Sequence, residues 1–354
     1  MAARKPRKRT DGAGTASEAG FSTRTRIAVL AAGALLLGTV ALPASSADPR
    51  PDGLAFTAAP ADALVSAPET APEAALETAP KAAPASADSC TPASANVSLT
   101  PSTDDSGADV KRIINRGKLI AGIDTNSYLW GFRNPATGNL EGFDIDLVHA
   151  LAKSILGNAN AVEFLSVPTA DRISALQSGE VDVVVRTMTI SCEREQQVAF
   201  SSPYFDAGQA VVVPVSSSIT GYNSTLKGKR VCAATGSTGI AFLQQKSFGS
   251  TIVPVENQLD CLVLMQLGTV DATVTDNALG AGQVAQDPTV KLVGGLIDSE
   301  DYGVAMKLGE NDLVRRVNSV LDQFRADQWD SEYKTWLLAA MGPSAGPPTV
   351  SYAG

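Results

Sequence analysis

From residue 109 onward the chain alternates between two hydrophobic periods. Residues 110–116 read as a short helix stopped by Gly117, and 118–123 as a strand. An amphipathic helix is predicted over 143–156, a strand over 161–167, and a helix over 170–177 ended by Gly179. Residues 181–185 form an apolar run, β-branched nearly throughout, the mark of a strand buried on both faces. The same grammar continues with strands at 230–234, 272–275 and 301–306 and a helix at 240–245. Residues 312–324 carry apolar side chains at 313, 317, 320, 321 and 324, which is helix spacing, and Trp329, Tyr333 and Trp336 suit a closing helix. Strands alternating with helices in this way predict an α/β fold with mostly parallel strands.

The pattern also repeats. Gly117–Asp124, GKLIAGID, is echoed by GKRVCAAT at 228–235, and LQSGEVD at 176–182 is echoed by MQLGTVD at 265–271, in the same order. A period of about 100 residues is too long for a solenoid and fits two similar lobes. Chance likeness between generic βα units is the competing reading.

The two ends are different. Residues 1–26 hold seven Lys or Arg against two acids, an apolar run follows over 27–42, and PASSA closes at Ala47. That is a signal peptide cleaved after Ala47, or an uncleaved signal anchor over 1–47, and in both cases an extracytoplasmic destination, secreted or membrane-anchored. Residues 48–108 are rich in Ala, Pro, Ser and Thr and read as a disordered linker, and 341–354 as a flexible tail. The full chain carries −9, and removing the +5 of residues 1–47 leaves −14. So acidic a body argues against nucleic acid as a partner. The four cysteines, Cys90, Cys192, Cys232 and Cys261, all lie beyond the export segment, which favours two disulfides over a metal site. Three pairings are open. A strand position for Cys232 and a helix start for Cys261 favour that pair, which leaves Cys90 with Cys192.

Hydroxyls replace apolar side chains at Arg186-Thr187-Met188-Thr189, at the carboxyl end of a strand, where open α/β sheets bind ligands. Arg194, five residues on, can grip a small anion there; the bland reading is a solvated arginine in a βα connection. Gly236-Ser237-Thr238-Gly239 joins a strand to a helix, an anion-binding junction without the lysine or spacing of a nucleotide loop. Asp276, in the equivalent place after the next strand, is either a helix N-cap or the partner of an ammonium. One guanidinium and one carboxylate suit the two ends of a zwitterion. The single His149 reads as a solvated helix residue, and Asp144 and Asp146 as surface or capping groups. No catalytic triad, metal cluster or cofactor fingerprint is present in the sequence.

Taken together, GNLEGFDIDLVHALAK, RISALQSGEVDVVV, TMTISCEREQQVAFSSPYF, LKGKRVCAATGSTG and VDATVTDNA resemble the family 3 solute-binding proteins of ABC importers. These are the polar amino-acid receptors, and the chain is most similar to the actinobacterial glutamate, aspartate and glutamine type over residues 109–340. The resemblance implies a monomeric two-lobed clamp, with 109–210 and 303–340 in one lobe and 211–302 in the other. It places Arg194 on a ligand's α-carboxylate, Asp276 on its α-ammonium, and Thr187 (through its carbonyl) and Thr189 (through its hydroxyl) on the α-ammonium and adjoining groups. Ser237 and Thr238 would cap the carboxylate, and Arg172 would meet a side-chain carboxylate. Tyr128 and Trp130 would cover the side chain in a first loop that reads Tyr-Leu-Trp where many members have Pro-Phe, with Asp124 at that loop's start. The implied function is capture of glutamate or aspartate (glutamine or asparagine in second place) for delivery to an ABC permease, without a cofactor. A sensor for a membrane signalling partner is the alternative, and a dehydratase-type enzyme using Asp124 a third reading.

Overall fold

A computed structural model describes residues 90–353. The expected export segment 1–47 and most of the expected linker lie outside the described residues. Ten strands build two five-stranded sheets: β1 Leu119–Ile123, β2 Val162–Ser166, β3 Val183–Val184, β4 Val198–Phe200, β5 Gln209–Pro214, β6 Arg230–Ala234, β7 Thr251–Val255, β8 Ala272–Asp276, β9 Val290–Val293 and β10 Ala305–Lys307. The first sheet has the order β2-β1-β3-β10-β4 and the second β7-β6-β8-β5-β9. In each, three parallel strands are followed by two antiparallel pairings.

The echo in the sequence is therefore an echo of topology. β1 and β6 come first among the parallel strands of their sheets, and β3 and β8 follow a helix and a glycine in left-handed conformation, Gly179 or Gly268. The aspartates ending the second echo do the same work. Asp182 accepts the Ile120 N–H at 2.8 Å and Asp271 the Arg230 N–H at 2.8 Å, tying each third strand to its leader.

Both faces of the first sheet are covered. Val183 and Val185 face a core made by helices Phe143–Leu156 and Asn311–Asp327, while Val181 and Val184 face the helix Arg172–Ser178. Over Val183–Val185 this is a two-residue alternation with apolar partners on both sides, as three consecutive valines require. The second sheet repeats this, with Val211, Val213 and Val231 on one face and Val212 and Cys232 on the other. The chain passes between lobes on two antiparallel segments, Phe205–Ala207 and Glu300–Tyr302, a paired hinge.

The disulfides are Cys90–Cys192 and Cys232–Cys261. Two expectations need correction. The linker does not run to 108, because Pro92–Ala95 is a helical turn and Val97–Leu99 a strand. Nor is 341–354 simply a tail, since Ser351–Ala353 pairs in parallel with Val97–Leu99. Ser98 donates to the Phe200 carbonyl at 3.0 Å and Asn318 to Ser98 and the Leu99 carbonyl, which binds this strap to lobe 1. Among the described residues no helix is long and apolar enough to cross a membrane.

Candidate functional site

Between the lobes lies a narrow cavity, with about 10 Å³ open to the centre of a water-sized sphere, lined by Thr169, Arg172, Arg186, Thr187, Thr189, Arg194, Ser237, Thr238, Gln258, Asp276 and Leu279. Seven of the ten residues singled out from the sequence meet there. They come from the carboxyl ends of β3, β6 and β8 and from the helix starts that follow β2, β3, β6 and β8, as the crevice rule for α/β sheets requires.

Arg194 sits on the short helix Cys192–Glu195, whose N-cap Ser191 accepts the Arg194 N–H. Its guanidinium donates to the Thr189 carbonyl at 2.7 Å and, across the cleft, to the Gly236 carbonyl at 3.2 Å. Arg172 donates to the same Gly236 carbonyl at 3.2 Å and to the Thr169 carbonyl at 2.9 Å. Gly236 has φ +76°, and a Cβ there would stand 2.8 Å from the Ala170 Cα, so only glycine lets the lobes approach this closely. Among the described residues neither Arg172 nor Arg194 touches a carboxylate. Burial pulls both guanidinium pKa values down, and for Arg172 the neighbouring Arg194 and Arg186 pull further.

Asp276 stands at the N-cap position of helix Asn277–Gln286, yet its side chain makes no capping bond. It faces the cavity, accepting the Tyr302 hydroxyl at 2.6 Å and the Gln209 amide. Burial raises its pKa, while Tyr302, Arg194 and Arg172 favour the charged form. Beside it Glu300, which accepts the Thr189 hydroxyl at 2.8 Å, is pushed up to about 8 by burial and then by Asp276 and Asp298. Thr238 accepts from Gln209 at 3.0 Å. The Ser237 hydroxyl is engaged locally, donating to the Ala234 carbonyl at 2.7 Å and accepting the Ile240 N–H at 3.1 Å as the N-cap of helix Thr238–Gln245.

Thr187 has φ +42°, a conformation a β-branched residue avoids unless its surroundings impose it. The cause is Asp144, whose carboxylate accepts the Thr187 N–H at 3.0 Å and the Tyr204 hydroxyl at 2.9 Å. Asp144 is 1% exposed and pushed up to about 7 by burial, so it is an interior brace and not the surface group expected.

Three expected residues stand outside the cavity. Trp130 is fully buried in the core of lobe 1 and does not cover the cleft. Asp124 pairs with Arg186 at 3.0 Å and accepts the Thr125, Asn126 and Ser127 donors of its own loop. Tyr128 lines a small neighbouring recess that shares Gln258 and Leu279 with the cavity. His149 is half-buried against Phe164 with Nδ1 2.7 Å from the Ala159 carbonyl, so it is not the solvated residue expected. Arg186, Thr169, Gln258 and Leu279 were missed. A signal existed for Leu279, three residues past Asp276 on the same helix face, and for Arg186 at the strand's end. Gln258 had none.

The profile of bacterial extracellular solute-binding proteins, family 3, matches residues 119–339. The chain belongs to this family. It is 35% identical over 237 residues to the ABC transporter glutamine-binding protein GlnH of Bacillus subtilis, covering 67% of this chain and 86% of that protein. It is 38% identical over 195 residues to the glutamine-binding protein of Geobacillus stearothermophilus, covering 55% and 74%. Among solved structures, an ancestral arginine-binding protein bound to glutamine is 39% identical with TM-score 0.59, covering 64% of this chain and 99% of that one. The receptor for L-cysteine of Neisseria gonorrhoeae is 26% identical with TM-score 0.64, covering 68% and 99%. The solute-binding protein therefore has the two-lobed fold of the type II amino-acid receptors.

Proposed function

We propose that the protein captures a free amino acid outside the cytoplasm for an ABC importer, with glutamate or aspartate as ligand. One observation carries the reading: a narrow interlobe cavity sets Arg172 and Arg194, which touch no carboxylate among the described residues, opposite a single inward carboxylate, Asp276. An α-carboxylate suits Arg194 and the Ser237–Thr238 helix start; an α-ammonium suits Asp276. Arg186 is already offset by Asp124, so the cavity is left with one uncompensated positive charge. A dicarboxylic amino acid, net −1, cancels it. Charge-assisted hydrogen bonds of about 1.5–3 kcal/mol each, less ordering and closure, reach the roughly −8 kcal/mol of micromolar binding.

A second reading, glutamine, has its own support. Arg186 Nε and Gln258 Oε1 are both buried without a partner and line the same cavity. One donor and one acceptor complement a primary carboxamide, and the two Bacillales relatives are named for glutamine. An enzyme reading loses ground because Asp124, the acid it needed, is held by Arg186 and lines no part of the cavity. Delivery to a permease and signalling to a sensor are separated by loss of uptake on deletion.

Calorimetry of the exported body against the twenty amino acids tests the proposal. Micromolar binding of glutamate or aspartate is expected. Tighter binding of glutamine selects the second reading, and binding of leucine or lysine alone, or of no amino acid, sinks both.

A further inference from the structure

Trp130 is absent from the cavity, yet its position touches everything that moves. Its ring lies edge-on to Phe205 at 4.7 Å and to Tyr302 at 5.6 Å, one aromatic from each hinge segment. Its indole N–H crosses to lobe 2 and donates to the Ala278 carbonyl at 3.1 Å. Ala278 lies between Asp276 and Leu279, two cavity residues, in the first turn of helix Asn277–Gln286. Tyr302, against which the indole packs, is the residue whose hydroxyl holds Asp276. One turn further along the same helix, Gly282 passes so close to the Tyr128 carbonyl that a Cβ would stand 2.5 Å from it. The loop carrying Tyr128 and Trp130 thus grips the helix that carries Asp276 at two points, and both contacts join lobe 1 to lobe 2.

We propose that Trp130 is a positioning residue for binding: its indole N–H latches the Asp276 helix to the hinge in the closed clamp. The proposal goes beyond the ligand reading, since the latch is made by side chain and backbone alone. A buried neutral hydrogen bond contributes about 1 kcal/mol, equivalent to roughly fivefold in an equilibrium constant. Loss of the bond acts on the closed state and so on release more than on encounter.

Trp130→Phe keeps an aromatic against Phe205 and Tyr302 and removes the N–H donor. Stopped-flow binding of glutamate (or glutamine, if calorimetry selects it) is expected to show release about fivefold faster and association within twofold of wild type. Hydrogen exchange without ligand is expected to speed up in residues 278–283, a readout that stands even if no amino acid binds. Gly282→Ala attacks the second contact with Trp130 intact, and small-angle scattering should show it less compact than wild type both with and without ligand. Wild-type release and exchange in Trp130→Phe overturn the proposal. A lowered melting temperature with unchanged release assigns Trp130 to packing and overturns it as well.

Discussion

Arg194 illustrates how a surface-type residue becomes a site. It is 8% exposed, held by the Thr189 and Gly236 carbonyls, and among the described residues no contacting carboxylate offsets its charge. Arg194→Ala should abolish calorimetrically detectable binding, because the ligand carboxylate would be buried without its bidentate partner. Arg194→Lys should recover little, since an ammonium cannot reproduce the fork that reaches two carbonyls and a carboxylate together. Near-wild-type affinity in either variant contradicts the assigned role. At this scale the sequence was a good guide to residues at strand ends and a poor one inside loops. Arg194, Thr189 and Asp276 follow from strand-tip position. The outward or inward aim of Trp130 and Asp144 depends on what packs above them. Asp144 is buried because Tyr204 and the Thr187 amide, 60 and 43 residues away, satisfy its oxygens.

At the scale of elements, helix starts and glycine stops were legible because they are local. Gly117 and Gly179 end their helices in left-handed geometry as expected. The strap was not legible. Val97–Leu99 and Ser351–Ala353 are three residues each, too short for any period, and each is a strand only because the other lies beside it. The Cys90–Cys192 bridge, spanning 102 residues, fastens this strap to the helix that carries Arg194. Replacing Cys90 and Cys192 together by serine should cost about 2–5 kcal/mol in denaturant titration, with ligand affinity falling as the Arg194 helix loosens. The Cys232–Cys261 bridge, spanning 29 residues within lobe 2, should cost less in the same measurement. Equal stability of the Cys90/Cys192 double variant and wild type would mean that the strap holds without its disulfide.

The molecule as a whole gathers carboxyl groups with raised pKa values at its cleft and hinge. Asp144 is pushed up to about 7 and Glu300 to about 8, in each case mainly by burial. Between the ordinary carboxyl range and these values the folded state holds protons that the unfolded state has released. Stability of the ligand-free protein should therefore fall as pH rises from about 5 to about 8. Glu300→Gln keeps the acceptor for Thr189 and Gln209 and removes the titration, so its melting temperature should decline less over that interval. An unchanged slope in calorimetric scans at pH 5, 6, 7 and 8 would exclude Glu300 as a contributor.

The sequence by itself determined the α/β alternation, the doubled lobe and the strand tips from which most of the cleft is built. These are properties of local periodicity and of spacing along the chain, and each can be read within a window of one βα unit. Tertiary structure decided which side chains face the cavity, which brace it and which fasten one lobe to the other. Gly236 meeting Ala170, Trp130 reaching Ala278 and residues 97–99 finding 351–353 join segments 66 to 254 positions apart. No local pattern encodes such pairs, because the free energy that selects them arises only when both surfaces lose water together.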